Sequence, residues 1–126
     1  AVEPFEERNV AANVFTNPQI ATVGWSQAEI EAGTIRGTIH TIDLELNPRA
    51  KMMGLTDGFI KLISTTTSRT VIGGVVVAPN ASELIFPIAL AVEHRLTVDD
   101  LAKAFSIYPS LSTTISEVAR ALHKVL

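Results

Sequence analysis

The chain has 126 residues, of which 47% are apolar and 18% are charged, and its formal net charge is −3. This size and composition suit one domain with its own core and exclude an intrinsically disordered chain, and scattered basic residues argue against a nucleic-acid partner. No apolar run reaches the ~18 residues of a membrane span, and the absence of cysteine excludes disulfides and thiolate catalysis within these residues.

The first eleven residues have the composition of a linker or leader. They are acidic between Glu3 and Glu7 and lack the basic-then-apolar order of a secretory signal. We therefore place the domain at residues 12–126 and expect a cytoplasmic location. Because the chain has no initiator Met, we interpret it as a piece of a longer protein.

Short β-branched and aromatic runs bounded by turn residues predict strands in the first part of the chain. The predicted strands span residues 14–16, 20–24, 34–46, 59–63 and 71–78. In the third run the apolar residues change from odd positions (Ile35, Ile39) to even positions from Ile42 onward. A strand with a period of two cannot change in this way without an extra residue, which predicts a bulge near His40-Thr41. Residues 47–50 are predicted to leave that strand as a loop. Gly73 and Gly74 inside the last strand indicate a bulge or a close backbone approach.

Capping residues and helical spacing predict four helices. Ser26 and Thr97 each precede an acidic residue by three positions, as in a capping box. Asn80, with Glu83, is expected to cap a helix that reaches about His94. Apolar residues at helical spacing predict a last helix over residues 112–125. Because strands come first and helices last, the sequence favours an α+β fold, an antiparallel β-sheet with helices packed on it.

The segment Leu84–Val92 is apolar on every side of its predicted helix. A helix of this kind must be covered all round, and its uncovered face is a candidate association surface. Pro87 is expected to kink the helix, because it removes a backbone hydrogen bond. The predicted interface residues are Leu84, Ile85, Ile88, Leu90 and Ala91.

The sequence contains no complete catalytic or metal-binding motif. It has no glycine-rich phosphate loop and no nucleophile elbow, and its three histidines are too widely separated to predict a metal site. The segment Ser106–Ser112, ordered by Pro109, is the one place where a site residue is expected. Tyr108 lies in it, either as a displayed functional group or as an ordinary residue of a helix–helix connection.

Read in order, these segments resemble the C-terminal interface domain of the flavoprotein disulfide reductases, the family of dihydrolipoamide dehydrogenase, glutathione reductase and mercuric reductase. The resemblance covers about residues 12–125. The matching blocks are Val14–Gly24, Asn47–Ala50, Gly58–Leu62, Ile72–Gly74, Ala81–Ile85 and Ala89–Ala91. Each block is weak alone, and the set is specific because of its order and spacing.

The resemblance implies a parent protein in which an FAD domain and an NAD(P)H domain of the same polypeptide precede this one. It also implies a homodimer, in which a His-Pro loop reaches the partner's active site and a Glu five residues later orients the His. Here Tyr108-Pro109 stands at that position, so both residues are expected to line the partner's FAD pocket, with Tyr108 in place of the catalytic His. Thr113 occupies the plus-five position, and Glu117 is too far along the helix to orient Tyr108.

These departures shift the expected activity of the parent. A phenol is neutral near pH 7 and cannot relay protons as an imidazole does, which favours quinone acceptors over disulfides. Two alternatives remain open: a true dithiol reductase that uses Tyr108 or a residue outside this chain, and a stand-alone interaction module. We expect this chain alone to bind neither FAD nor NAD(P)H and to be inactive, because it lacks a glycine-rich turn that leads into a helix.

Overall fold

The computed structural model describes residues 2–124, which form one antiparallel sheet with helices. The strands are β1 (Ala12–Val14), β2 (Gln19–Gly24), β3 (Thr38–Asp43), β4 (Phe59–Ser64) and β5 (Val71–Ala78). They lie in the order β1-β2-β5-β4-β3, and each neighbouring pair is antiparallel. The helices are α1 (Gln27–Glu31), α2 (Pro48–Met52), α3 (Ala81–Glu93), α4 (Val98–Lys103) and α5 (Thr113–Lys124). The predicted α+β class is confirmed.

The core lies between one face of the sheet and two helices. α3 packs on β2 and β5, whereas α5 packs on β3 and β4. One row of this face runs through Ala21, Val76 and Ile60, which are register partners and fully buried. α4 packs against α5 at the edge of this layer. Within the described residues, no helix is long and apolar enough to cross a bilayer.

The two edge strands differ from the sequence prediction. β1 occupies residues 12–14 rather than 14–16, and Phe15 is exposed beyond its end. β3 keeps a regular register with β4 from Thr38 to Asp43, so the bulge predicted near His40-Thr41 is absent. The strand is shorter than predicted, and a 3₁₀ turn over residues 44–46 follows it. The change in the parity of the apolar positions lies within the regular strand, where Ile39 pairs with Ile63 and Ile42 pairs with Ile60. The two isoleucines therefore lie on opposite faces of the sheet, and no extra residue is needed.

Residues 47–50, predicted as a loop, belong to the start of α2. Asn47 is the N-cap, and its side-chain oxygen accepts hydrogen bonds from the backbone N–H groups of Arg49 and Ala50. Pro48 occupies the first helical position, where its missing N–H costs nothing. Asn followed by Pro is therefore a helix start in this chain.

The paired glycines of β5 permit the close approach that their position predicted. A Cβ added to Gly73 would overlap the backbone of Trp25, and one added to Gly74 would lie 2.7 Å from Ile88 Cγ2. The sheet irregularity lies beside them, where the β4–β5 register shifts between Ile63 and Ser64. Both alternatives named for the glycines thus occur, and the approach to Trp25 and to α3 explains why side chains are excluded.

α3 is a continuous helix that runs through Pro87. Its cap differs from the prediction, because Asn80 is left-handed (φ 57°) and makes no side-chain cap bond. The capping boxes at Ser26 and Thr97 are confirmed, since each side chain accepts from the third helical N–H. In return Glu29 and Asp100 accept from the N-cap backbone N–H, and this bond is the main reason that their carboxyl pKa values are lowered.

Part of the segment predicted as a linker packs on the domain. Residues 7–9 form a 3₁₀ turn that carries the Arg8 guanidinium 3.5 Å from the centroid of the Trp25 ring. Arg8 also pairs with Glu29 at 3.0 Å, and Asn9 Nδ2 donates to a Glu93 carboxylate oxygen at 2.9 Å. The cation–π contact and these bonds fix the direction in which the chain enters β1.

Candidate functional site

The connection between α4 and α5, residues 104–112, displays the candidate site residue, and we call it the Tyr108 loop. Tyr108 is 68% exposed, and Phe105 and Ile107 beside it are also exposed. The Tyr108–Pro109 peptide bond is cis. The structure thus presents three large apolar or aromatic side chains to solvent in one loop.

Thr113 ties the loop together from inside. Its hydroxyl donates to the Ile107 carbonyl oxygen at 3.2 Å and lies 3.1 Å from Ser110 Oγ, which in turn lies 2.9 Å from Ser112 Oγ. Thr113 is 9% exposed, so its hydroxyl is engaged with the loop itself. The residue at the plus-five position therefore supplies a structural hydrogen bond and no carboxylate. Among the residues described, no hydrogen bond joins Glu117 to Tyr108.

Asn47 holds the loop to the rest of the domain, a role that the sequence reasoning missed. Its Nδ2 donates to the Ser110 carbonyl oxygen at 2.9 Å and to Thr114 Oγ1 at 2.7 Å. The side chain is 1% exposed, and these bonds satisfy its buried polar atoms. The signal available in the sequence was the Asn-Pro pair, which marks an N-cap as well as a turn.

α3 divides the predicted interface residues between two faces. Ile85, Ile88 and Ala91 are buried in the domain's own core, which leaves little of their surface for a partner, and their assignment to an interface stays a prediction. Leu84 is half-buried against that core, while Leu90 is 41% exposed. Phe86, which was not predicted, is exposed as well. The sheet side of the helix is covered, and its exposed apolar strip includes Phe86 and Leu90.

The histidines lie away from the Tyr108 loop. His123 Nδ1 is 2.6 Å from Asp99 Oδ1 and 3.1 Å from an Arg69 guanidinium nitrogen, an exposed cluster between α4 and α5. His94 is the C-cap of α3, and His40 is half-buried in β3. Within residues 2–124, no three metal-ligating side chains come together.

The glycines beside α1 and within β5 are closely packed. A pyrophosphate site needs glycines that leave open space at a helix N-terminus. Gly24 precedes α1, but a Cβ there would overlap the Ile72 carbonyl, so its space is filled by β5. Gly73 and Gly74 are likewise packed against Trp25 and Ile88. Among the residues described, these three glycines therefore leave no open space for a pyrophosphate.

Sequence and structure comparisons identify relatives of the whole domain. The family model described as "pyridine nucleotide-disulphide oxidoreductase, dimerisation domain" matches residues 10–119. An NAD(P)H dehydrogenase (quinone) from Mycobacterium tuberculosis is 50% identical over 96% of this chain and 24% of its own length. A dihydrolipoyl dehydrogenase from Haloarcula marismortui is 32% identical over 93% of this chain and 25% of its own length. The crystal structure of LpdA from M. tuberculosis has a TM-score of 0.94 and 50% identity, covering 97% of this chain and 27% of that one.

The sheet order, the two core helices and these matches define a dimerisation domain. The chain belongs to the pyridine nucleotide-disulphide oxidoreductase dimerisation domain family. The family resemblance inferred from the sequence blocks is confirmed. The chain spans about a quarter of the length of the relatives named above.

Proposed function

We propose that this domain dimerises an FAD- and NAD(P)H-dependent oxidoreductase whose electron acceptor is a quinone. The observation that carries the proposal is an exposed Tyr108 on an anchored loop with no carboxylate beside it. A dithiol reductase of this family needs an oriented base at that place, because a thiolate must gain and lose a proton. A quinone needs a flat contact and a hydrogen-bond donor, which a phenol supplies.

The names of the relatives also favour a quinone as the electron acceptor. The chain is 50% identical to a protein named for quinone reduction and 32% identical to one named for dihydrolipoamide oxidation. The FAD and NAD(P)H domains would be supplied by the same polypeptide, and the Tyr108 loop would reach the FAD pocket of the partner subunit. Tyr108 and Pro109 would line that pocket. The cytoplasmic location stays a prediction.

Dimerisation would use the uncovered strip of α3, with Leu90 at its centre. A two-fold contact places the same strip on both subunits, and burial of two apolar side chains per subunit favours association. Leu90→Glu should weaken the dimer in sedimentation experiments on the full-length protein. Val14→Glu is the matched control, because Val14 is similarly exposed on β1. Equal sedimentation of wild type and Leu90→Glu at all concentrations would contradict the placement.

The electron acceptor is tested by assaying Tyr108 variants of the full-length protein with a quinone and with lipoamide. Tyr108→Phe should lower quinone turnover by one lost hydrogen bond, roughly tenfold. Tyr108→His should not create lipoamide activity, since Thr113 offers no carboxylate to orient an imidazole. Efficient lipoamide reduction by the wild type at neutral pH would support the dithiol alternative and overturn the quinone proposal. If Tyr108→Phe keeps its full activity with both acceptors, Tyr108 is not part of the acceptor site.

A further inference from the structure

We infer that Asn47 is the positioning residue of the Tyr108 loop, which it holds in place through its side-chain amide. This inference rests on the proposed function only in its consequence for acceptor binding. Its structural part concerns how residues 104–112 are fixed to the domain. Asn47 lies 63 positions before Ser110 in the chain, so its bond to the Ser110 carbonyl is a tertiary one.

The Asn47 amide divides its bonds between two tasks. The oxygen accepts from two N–H groups at the start of α2, at 2.8 and 3.1 Å. The nitrogen donates to the loop at Ser110 and to the first turn of α5 at Thr114. The side chain thus joins α2, the loop and α5 at one buried point.

Capping alone does not require an amide. Ser, Thr and Asp cap helices as well as Asn does, because the cap needs only an acceptor oxygen. Only Asn combines that acceptor, at this reach, with two N–H donors. The residue type at position 47 is therefore explained by the loop and α5 rather than by α2.

Asn47 provides the hydrogen bond between the loop and the body of the domain, and Leu111 adds an apolar contact with the core. Within the described residues, the other hydrogen bonds of residues 104–112 stay inside the loop or go to the adjoining helices α4 and α5. Ser110 is two residues from Tyr108, so a shift of its carbonyl moves the exposed tip. Without the Asn47 bond, the loop would keep its internal hydroxyl bonds and the core contact of Leu111, but it would lose the hydrogen bond that fixes the Ser110 carbonyl.

The test uses the full-length flavoprotein and hydrogen–deuterium exchange. Asn47→Ser and Asn47→Asp keep a capping oxygen and remove the donors to the loop. The N–H groups of Thr114 and Ile115 donate to the Leu111 and Ser112 carbonyl oxygens of the loop. Exchange at these two amides, which we call loop exchange, should rise roughly tenfold or more when the Asn47 bonds are lost. Exchange in α3 should not change. The KM for a quinone should rise, while the rate of flavin reduction by NAD(P)H stays at its wild-type value.

Two control variants separate positioning from general destabilisation. Ser26→Ala removes the cap of another five-residue helix, α1, and its side chain makes no bond to the loop. It should lower the melting temperature without raising loop exchange. Thr114→Val removes one of the two donor contacts and should give a smaller rise than Asn47→Ser.

The outcomes distinguish this inference from the proposed function. Unchanged loop exchange in both Asn47 variants would overturn the inference, as would an equal rise in α3 and the loop. A rise confined to the loop with unchanged quinone kinetics would support the role of Asn47 and contradict the placement of Tyr108 at the acceptor site. A rise in loop exchange together with a higher KM for the quinone would support both the role of Asn47 and the placement of Tyr108 at the acceptor site.

Discussion

α3 and the Tyr108 loop are fixed by different interactions, although both carry exposed apolar residues. α3 buries Ile85, Ile88 and Ala91 against the sheet, so its place is set by apolar burial and close packing. The loop exposes Tyr108 and is held by hydroxyl and amide hydrogen bonds. The helix therefore contributes mainly to the free energy of unfolding, whereas the loop contributes little to it and presents Tyr108 to solvent. Changes in the two regions should have separable effects on folding and on activity.

The largest expected effect comes from Ile88→Ala in α3. Ile88 is fully buried and contacts Gly74 of the sheet, so truncation leaves a cavity. We expect a loss of about 2–5 kcal/mol in the free energy of unfolding. Urea unfolding of this chain measures it, with Leu90→Ala on the exposed strip as the matched control. A similar loss in both variants would show that α3 is covered on both faces.

Gly73→Ala should have the next largest effect. The new Cβ would overlap the backbone of Trp25, which cannot rotate away as a flexible side chain can. Overpacking of this kind costs about 1–3 kcal/mol. Gly33→Ala is the comparison for backbone strain without overlap, because Gly33 has a positive φ of 77° and no atom within 4 Å of an added Cβ, whereas the φ of Gly73 is not positive. If Gly73→Ala melts at the wild-type temperature, the close approach of β5 to Trp25 is not needed for stability.

The capping carboxylates should give a smaller, pH-dependent effect. Their pKa values are lowered in the folded state from ordinary values of 4.5 for Glu29 and 3.8 for Asp100. The ionised form is therefore favoured by folding, and its contribution is present above those ordinary values and lost as pH falls through the lowered pKa. The melting temperature of Glu29→Gln should fall less than that of wild type between about pH 6 and pH 3. Parallel curves would show that the cap bonds do not contribute.

The smallest effect on stability is expected for Tyr108→Ala. The side chain is mostly exposed and accepts or donates no hydrogen bond within the described residues. The free energy of unfolding should stay within about 0.5 kcal/mol of wild type. Thr113→Val, which removes the bond to the Ile107 carbonyl, should cost more than Tyr108→Ala. A large loss in Tyr108→Ala would mean that the loop tip is a packing element, and the functional contrast with α3 would fail.

Local patterns determined much of this protein. The capping boxes at Ser26 and Thr97, the strands of the β4–β5 hairpin and the helical spacing of α5 follow from neighbouring residues alone, and the structure contains them. The ordered sequence blocks also identified the family, because they encode a specific set of turns and close approaches. The presence of Tyr108 and Thr113, where the family pattern has His and Glu, was visible in the sequence as well.

Tertiary contacts decided the features that local patterns could not show. An apolar helix does not reveal which side meets the sheet, so the sequence could not separate Ile88 in the core from Leu90 on the surface. The change of parity between Ile39 and Ile42 fits either a bulge or a regular strand with apolar residues on both faces, and the pairing of β3 with β4 shows the regular strand. Asn47 was visible as a turn residue, but its bond to Ser110 spans 63 positions. A side chain's partner at that separation is set by the approach of Asn47 to the start of α5, which only the folded chain brings about.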